Sequence, residues 1–145
     1  MYSSFHGAIG GAIMIAMPNP LGAAVAFASH FVVDYIGESS IGNTKRWAAI
    51  EGSLLIAYLL AAYWSGVFTL GIVGWLMANL PDLIDKPNRW IRGKKEWFSC
   101  HNGVGLFQYK GIKLGYPVKV NISKENTLVL NFFATIVWML ICAGQ

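Results

Sequence analysis

Residues 52 to 81 contain no charged side chain, and this run limits the possible folds more than any other feature of the chain. Drawn as one helix at 1.5 Å per residue it would extend about 45 Å, well past the ~30 Å of a bilayer's hydrocarbon layer. Ser65-Gly66 is the place to divide it. The division predicts a third helix over Trp47 to Trp64 and a fourth over Val67 to Ile84. Upstream, an apolar block from Phe5 to Met17 stops at Pro18-Asn19-Pro20, where proline withholds a backbone donor and crowds the preceding turn. A second block runs from Leu21 to Ile36. Both fall short of the ~20 residues of a full crossing, so they read as a short or re-entrant hairpin with both ends on one side. A fifth helix is expected from Glu125 to Cys142, with Ser123 as its N-cap and an acidic first turn.

At 12% charged and 55% hydrophobic residues, the chain has too little charge to cover a water-soluble surface. The expected fold is therefore an all-α integral membrane protein, one domain over residues 1–145. Cys100 and Cys142 form no spacing pattern, which argues against a disulfide framework. No Lys or Arg precedes Lys45, so the basic start of a cleavable signal is missing and the first apolar segment is expected to stay in place. All eleven basic residues lie at Lys45-Arg46 or between Lys86 and Lys124. By the positive-inside rule both regions are cytoplasmic, which puts the N-terminus inside and the C-terminus outside.

The stretch from 86 to 124 is the one long polar loop. Residues 87–98 mix bases with Trp90, Trp97 and Phe98 as an interfacial amphipathic helix does, and residues 111–123 alternate like a short strand or hairpin. Bases beside tryptophan at a membrane edge point to anionic lipid headgroups as partners and away from nucleic acid. Nothing in the sequence excludes an oligomer. No Walker loop, GxSxG elbow or usable Ser/His/Asp set is present.

The same topology gathers the scattered ionisable residues at one end. His6 begins helix 1, His30 and Asp34 finish helix 2, Asp82 and Asp85 end helix 4, His101 falls in the following loop, and Glu51 lies near the start of helix 3. These positions include every histidine and every aspartate in the chain. His30 and Asp34 at i, i+4, and Asp82 and Asp85 at i, i+3, share helix faces and can address one ion. Three imidazoles and three carboxylates suit a divalent transition metal, zinc first and manganese or iron next, as one or two ions. Asp85 or Glu51 would be the base, with Glu51 alternatively orienting a histidine.

Plainer readings stand beside these. His30 is bonded to a backbone carbonyl, Asp34 caps its helix or faces Arg46, Asp82 ends helix 4, Asp85 pairs with Lys86, and Glu51 pairs with Lys45 or Arg46. Cys100 is a further soft donor. Gly7 and Gly11 on helix 1, with Gly71, Gly74 and Ala78 on helix 4, are small enough for close helix packing that draws His6 towards Asp82.

FHGAIGGA at 5–12, ASHFVVDYI at 28–36, ANLPDLIDKP at 78–87 and SCHNG at 99–103 together resemble the small bacterial inner-membrane proteins described as membrane-bound, metal-dependent hydrolases, a group with an SOS-regulated member. The resemblance covers roughly residues 5 to 103. It implies a multi-pass inner-membrane protein with His6, His30, Asp34, Asp82, Asp85 and His101 as metal ligands. The chain departs from the pattern in two places. Gly37-Glu38 stand where a histidine often follows the SHxxxD aspartate, and the loop offers only His101, followed by Asn102, so donors for a second ion are fewer. The function expected is hydrolysis of a phosphoester in a lipid or lipid-linked substrate at the cytoplasmic leaflet. The alternative is a non-enzymatic metal-binding scaffold or an ion or proton conductor, which would need polar residues through the whole membrane depth.

Overall fold

A computed structural model describes residues 3–37, 45–92, 98, 107–109, 112–114, 120–121 and 123–145. They form five α-helices, α1 (Ser3–Ala16), α2 (Pro20–Tyr35), α3 (Lys45–Trp64), α4 (Phe68–Arg92) and α5 (Lys124–Ala143). Four strands of two or three residues accompany them: β1 (Ile36–Gly37), β2 (Phe107–Tyr109), β3 (Ile112–Leu114) and β4 (Val120–Asn121).

Local chemistry sets most helix limits. Asn19 accepts a hydrogen bond from the Gly22 amide at 3.1 Å and Pro20 takes the first helical position, a favourable start for α2 because proline's missing donor is not needed there. Gly66 ends α3 with φ 75°, a left-handed conformation that costs glycine little. The Gly66 amide bonds to the Tyr63 carbonyl and the Val67 amide to the Ala62 carbonyl, the double closure of a Schellman turn. Ser123 caps α5 through the Asn126 amide at 3.2 Å. The first turn of α1 has no acidic residue of its own. Glu51 of α3 reaches it instead, accepting from the Ser3 hydroxyl at 2.7 Å and the Ser4 amide at 3.0 Å, so a carboxylate answers the exposed amides and positive end of the helix.

α1 packs most extensively on α4, and α2 closes against both; α3 and α5 pair on the other side of α1. The α1–α4 approach depends on Gly10 and Gly74, where a Cβ on either residue would overlap backbone atoms of the other. Gly7 meets Trp75 across this contact, whereas Gly11 faces Tyr58 and Trp138. On the far side Tyr58 and Trp138 stack with centroids 4.6 Å apart. Tyr58 donates to the Gly71 carbonyl at 2.7 Å and Trp138 to the Tyr58 carbonyl at 3.0 Å, tying α3, α4 and α5 together.

Two expectations need correction. The fourth helix does not end at Ile84: α4 continues through Pro81 and Pro87 to Arg92. A proline removes one amide and one internal bond, which does not stop a helix whose neighbouring turns stay packed. The short strands expected within 111–123 are present as β3 and β4, but the hairpin is formed by β3 with β2, paired antiparallel from Phe107↔Leu114 to Tyr109↔Ile112, and so begins before residue 111. β1 pairs in parallel with β4, Ile36 against Val120, joining the end of α2 to the approach to α5.

Candidate metal centre

α1 and α2 form an antiparallel hairpin about Pro18-Asn19, so the first turns of α1 lie beside the last turns of α2. This brings His6 to His30 and Asp34, which share one face of α2. His6 Nε2 is 3.3 Å from Asp34 Oδ1, and His30 Nε2 is 3.1 Å from Asp34 Oδ2. The two imidazoles stack with centroids 4.3 Å apart and an interplanar angle of 19°. Among the described residues this is the group of three whose donor atoms converge, all within 4.8 Å of one another. Ligand atoms ~2.0–2.1 Å from a tetrahedral zinc lie ~3.3 Å apart, so the donors, within 4.8 Å of one another, are close enough for small side-chain movements to bring them onto one ion.

Hydrogen-bond accounting favours a cation here. His30 Nδ1 lies 2.7 Å from the Ala78 carbonyl of α4; a carbonyl only accepts, so this nitrogen carries the proton and a neutral His30 turns its Nε2 lone pair towards the carboxylate. An imidazole anchored through one nitrogen to a carbonyl is the usual arrangement of a metal-binding histidine. His6 is 1% exposed, yet neither ring nitrogen makes a well-formed hydrogen bond, and Nε2 has only its 3.3 Å ion-pair contact with Asp34. Leaving such a group unsatisfied costs about 1–3 kcal/mol. An ion on Nε2 would recover part of this cost.

The remaining anticipated residues divide. Asp82 and Asp85 lie one and two turns along α4 from Ala78 and are both buried, but outside the converging group. Lys86 pairs with Asp82 at 2.6 Å, not with its neighbour Asp85, because i, i+4 places the two on one helix face. Asp85 Oδ2 accepts the Phe98 amide at 2.9 Å and so fixes Phe98 against Phe27 and Phe31 on α2. Glu51 is taken up by the start of α1, two residues before His6. His101 and Cys100 lie outside the described residues, as do the side chains of Lys45 and Arg46. Cys142 is buried in the core.

The backbone carbonyl anticipated as a partner of His30 is that of Ala78. Two contributors were not anticipated: the role of Phe98, and Asn79, whose amide donates to the Ser3 and Trp75 carbonyls. Only Asn79, a lone amide in an apolar helix, left a mark in the sequence. No family model, curated protein or solved structure matches the chain.

Proposed function

We propose that the protein is a membrane-embedded, metal-dependent hydrolase acting on a phosphoester of a lipid or lipid-linked substrate at the cytoplasmic leaflet. The observation that carries this reading is His6, buried with no polar contact but the 3.3 Å approach to Asp34, stacked on a second imidazole and aimed with it at that carboxylate. Two imidazoles and a carboxylate suit zinc, with manganese or iron as alternatives. Family resemblance adds Asp82, Asp85 and His101 as donors completing the site or holding a second ion. When bound, the metal supplies a water of lowered pKa and polarises a phosphoryl oxygen. The chain's own residues do the positioning: Ala78 holds His30 in one tautomer, Glu51 secures the turn that carries His6, and Asp85 anchors Phe98.

Embedding in a bilayer is supported by an inverted distribution of polarity. Phe132, Phe133, Ile136 and Leu140 of α5 and Ile56, Leu60 and Trp64 of α3 are exposed, while His6, His30, Asn79, Asp85, Thr127 and Asn131 are buried. Water would reverse this pattern, and lipid favours it. Residues 125–143 form one helix long and apolar enough to cross a membrane, and the apolar parts of α1, α2 and α3 are shorter. The basic residues that the sequence carries at 86–95 would draw anionic headgroups.

The conductor reading fares worse. Thr127, Asn131 and Thr135 do line a buried stripe of α5, but each donates to a carbonyl four residues back in the chain. Beyond them the fully buried Tyr58–Trp138 stack closes the interior.

The test begins with metal analysis of detergent-purified protein expressed with metal available. Wild type is expected to retain one or two transition-metal ions per chain, and His30→Ala and Asp34→Ala fewer. Metal-replete protein is then incubated with a lipid panel and the products followed by mass spectrometry. Wild type should cleave a phosphoester slowly, and Asp82→Asn and Asp85→Asn should not. Wild type without metal would remove the site. Metal without turnover would remove the enzyme and favour the scaffold.

A further inference from the structure

The candidate centre is closed. His6 and His30 are 1% and 0% exposed and the Asp34 side chain 11%, so a phosphoester cannot reach the donor atoms until part of the surrounding wall moves. Among the described residues most of that wall is helix fastened to helix. α1 meets α4 backbone to backbone at Gly10 and Gly74, and α2 is tied to α4 by the bond from His30 to the Ala78 carbonyl.

Phe98 is different, because it belongs to no helix or strand and yet packs against the helical body. Its ring lies 6.3 Å from Phe27 and 5.9 Å from Phe31, centroid to centroid. Phe31 in turn stands edge-on to His30, at 5.8 Å and 81°. Phe27, His30 and Phe31 follow one another at i, i+3 and i+4, on one face of α2. A residue from outside the helices therefore backs the ring that packs on His30.

What holds Phe98 in place comes from α4. Asp85 is 1% exposed, and its Oδ2 accepts the Phe98 amide at 2.9 Å, a charge-assisted bond sheltered from water. Asp85 follows Ala78 by seven residues, so the two lie on one face of the helix. The same face of α4 thus secures His30 directly and its aromatic cover through Phe98.

We propose that Phe98 is a gate to the candidate centre and that Asp85 is its latch: release of the Phe98 amide lets the ring leave Phe27 and Phe31 and opens the His30 side to the substrate phosphoester. The inference rests on the reading of this centre as the hydrolytic site and adds how that site is opened and closed.

The test reads opening without metal. Full-length protein in detergent is stripped with a chelator and treated with diethyl pyrocarbonate, which acylates an imidazole nitrogen bearing a lone pair. In His30 that nitrogen is Nε2, because Nδ1 is bonded to Ala78. Peptide mass spectrometry follows the rate at His30, which should be slow in wild type. Asp85→Ala deletes the acceptor and Phe98→Ala the ring, and each should speed the reaction about 10- to 100-fold, the scale of one hydrogen bond to a charged group. Asp85→Asn keeps a neutral acceptor and should fall between Asp85→Ala and wild type. The double variant should be no faster than the faster single one, because both changes free the same ring. Phe98 is only half-buried, so Phe98→Ala carries the test even where Asp85→Ala fails to fold. An unchanged His30 rate in Phe98→Ala, or effects that multiply in the double variant, overturns the inference. Zinc reloading separates the two readings. Phe98→Ala should take up as much zinc as wild type and lose it faster to a chelator; a wild type that takes up none would overturn the metal reading, while the His30 rates still decide the gate.

Discussion

Replacing three glycines one at a time by alanine tests the α1–α4 contact on which the candidate centre depends. In a helix interior Gly→Ala contributes about 0.5–1 kcal/mol by itself, so the three variants differ only in what the new methyl meets. At Gly52 on α3 it meets nothing within 4 Å, and the full gain should appear. At Gly71 it lies 3.0 Å from the Ala62 Cβ and 3.4 Å from Trp138, tight contacts with side chains, and gain and strain should nearly cancel. At Gly74 it runs into the Gly10 and Gly11 backbone, which has no rotamer to change. Non-bonded carbons prefer 3.5–4.0 Å, so the helices must separate by roughly 1 Å. Overpacking costs about 1–3 kcal/mol, and the rigid partner puts Gly74→Ala at the upper end. After the propensity gain, the net loss is about 2 kcal/mol, and the span between Gly52→Ala and Gly74→Ala about 3 kcal/mol. His6 sits one turn before Gly10 on α1, so Gly74→Ala should also lower metal retention, by a factor of about 10. Thermal unfolding in detergent reads stability, and metal analysis of the same preparations reads the centre. A Gly74→Ala protein as stable and as metal-loaded as Gly52→Ala would refute the reasoning.

Glu51→Gln keeps the shape at the start of α1 but removes the charge, and should cost about 1–2 kcal/mol with a partial loss of metal through His6; unchanged melting and metal content would make the carboxylate dispensable. Tyr58→Phe deletes the bond to Gly71 and should cost about 1 kcal/mol without touching metal content, checked by the same pair of measurements. Orientation is tested by reporters fused at Gln145 and within 93–97. The first should be active outside the cytoplasm and the second inside, and a cytoplasmic Gln145 would overturn the five-segment topology.

The parts of this structure that were legible in the sequence are those written in nearest-neighbour chemistry. Pro18-Asn19-Pro20 marks the hairpin, Gly66 the α3 stop, Ser123 the α5 cap, and the i, i+4 spacing of His30 and Asp34 gives half the centre. What was not legible depends on helix phase or on backbone atoms. Gly10, not Gly7 or Gly11, makes the closest contact with Gly74, because a small rotation of α1 decides which glycine faces α4. The Ala78 carbonyl that holds His30 has no side-chain signature at all. The fourth helix was expected to end at Ile84 but runs on through Pro87 to Arg92, because a lost amide counts for little where tertiary packing holds the turn. Glu51 was placed at the right end of the molecule, but its partners on α1 are separated from it by 47 and 48 residues, beyond any local pattern.

The hydrogen bond from His30 to Ala78 also sets the order in which this molecule can be assembled. The donors at 6, 30 and 34 are all synthesised early, yet the group that fixes the tautomer of His30 follows it by 48 residues. A nascent chain that stops before α4 would carry three competent donors and no preference between the two imidazole nitrogens. On the metal-site proposal, acquisition of an ion would therefore be a late event in biogenesis, coupled to the docking of α4, and a chain released too early would be recognisable by an empty centre before any defect in its helices.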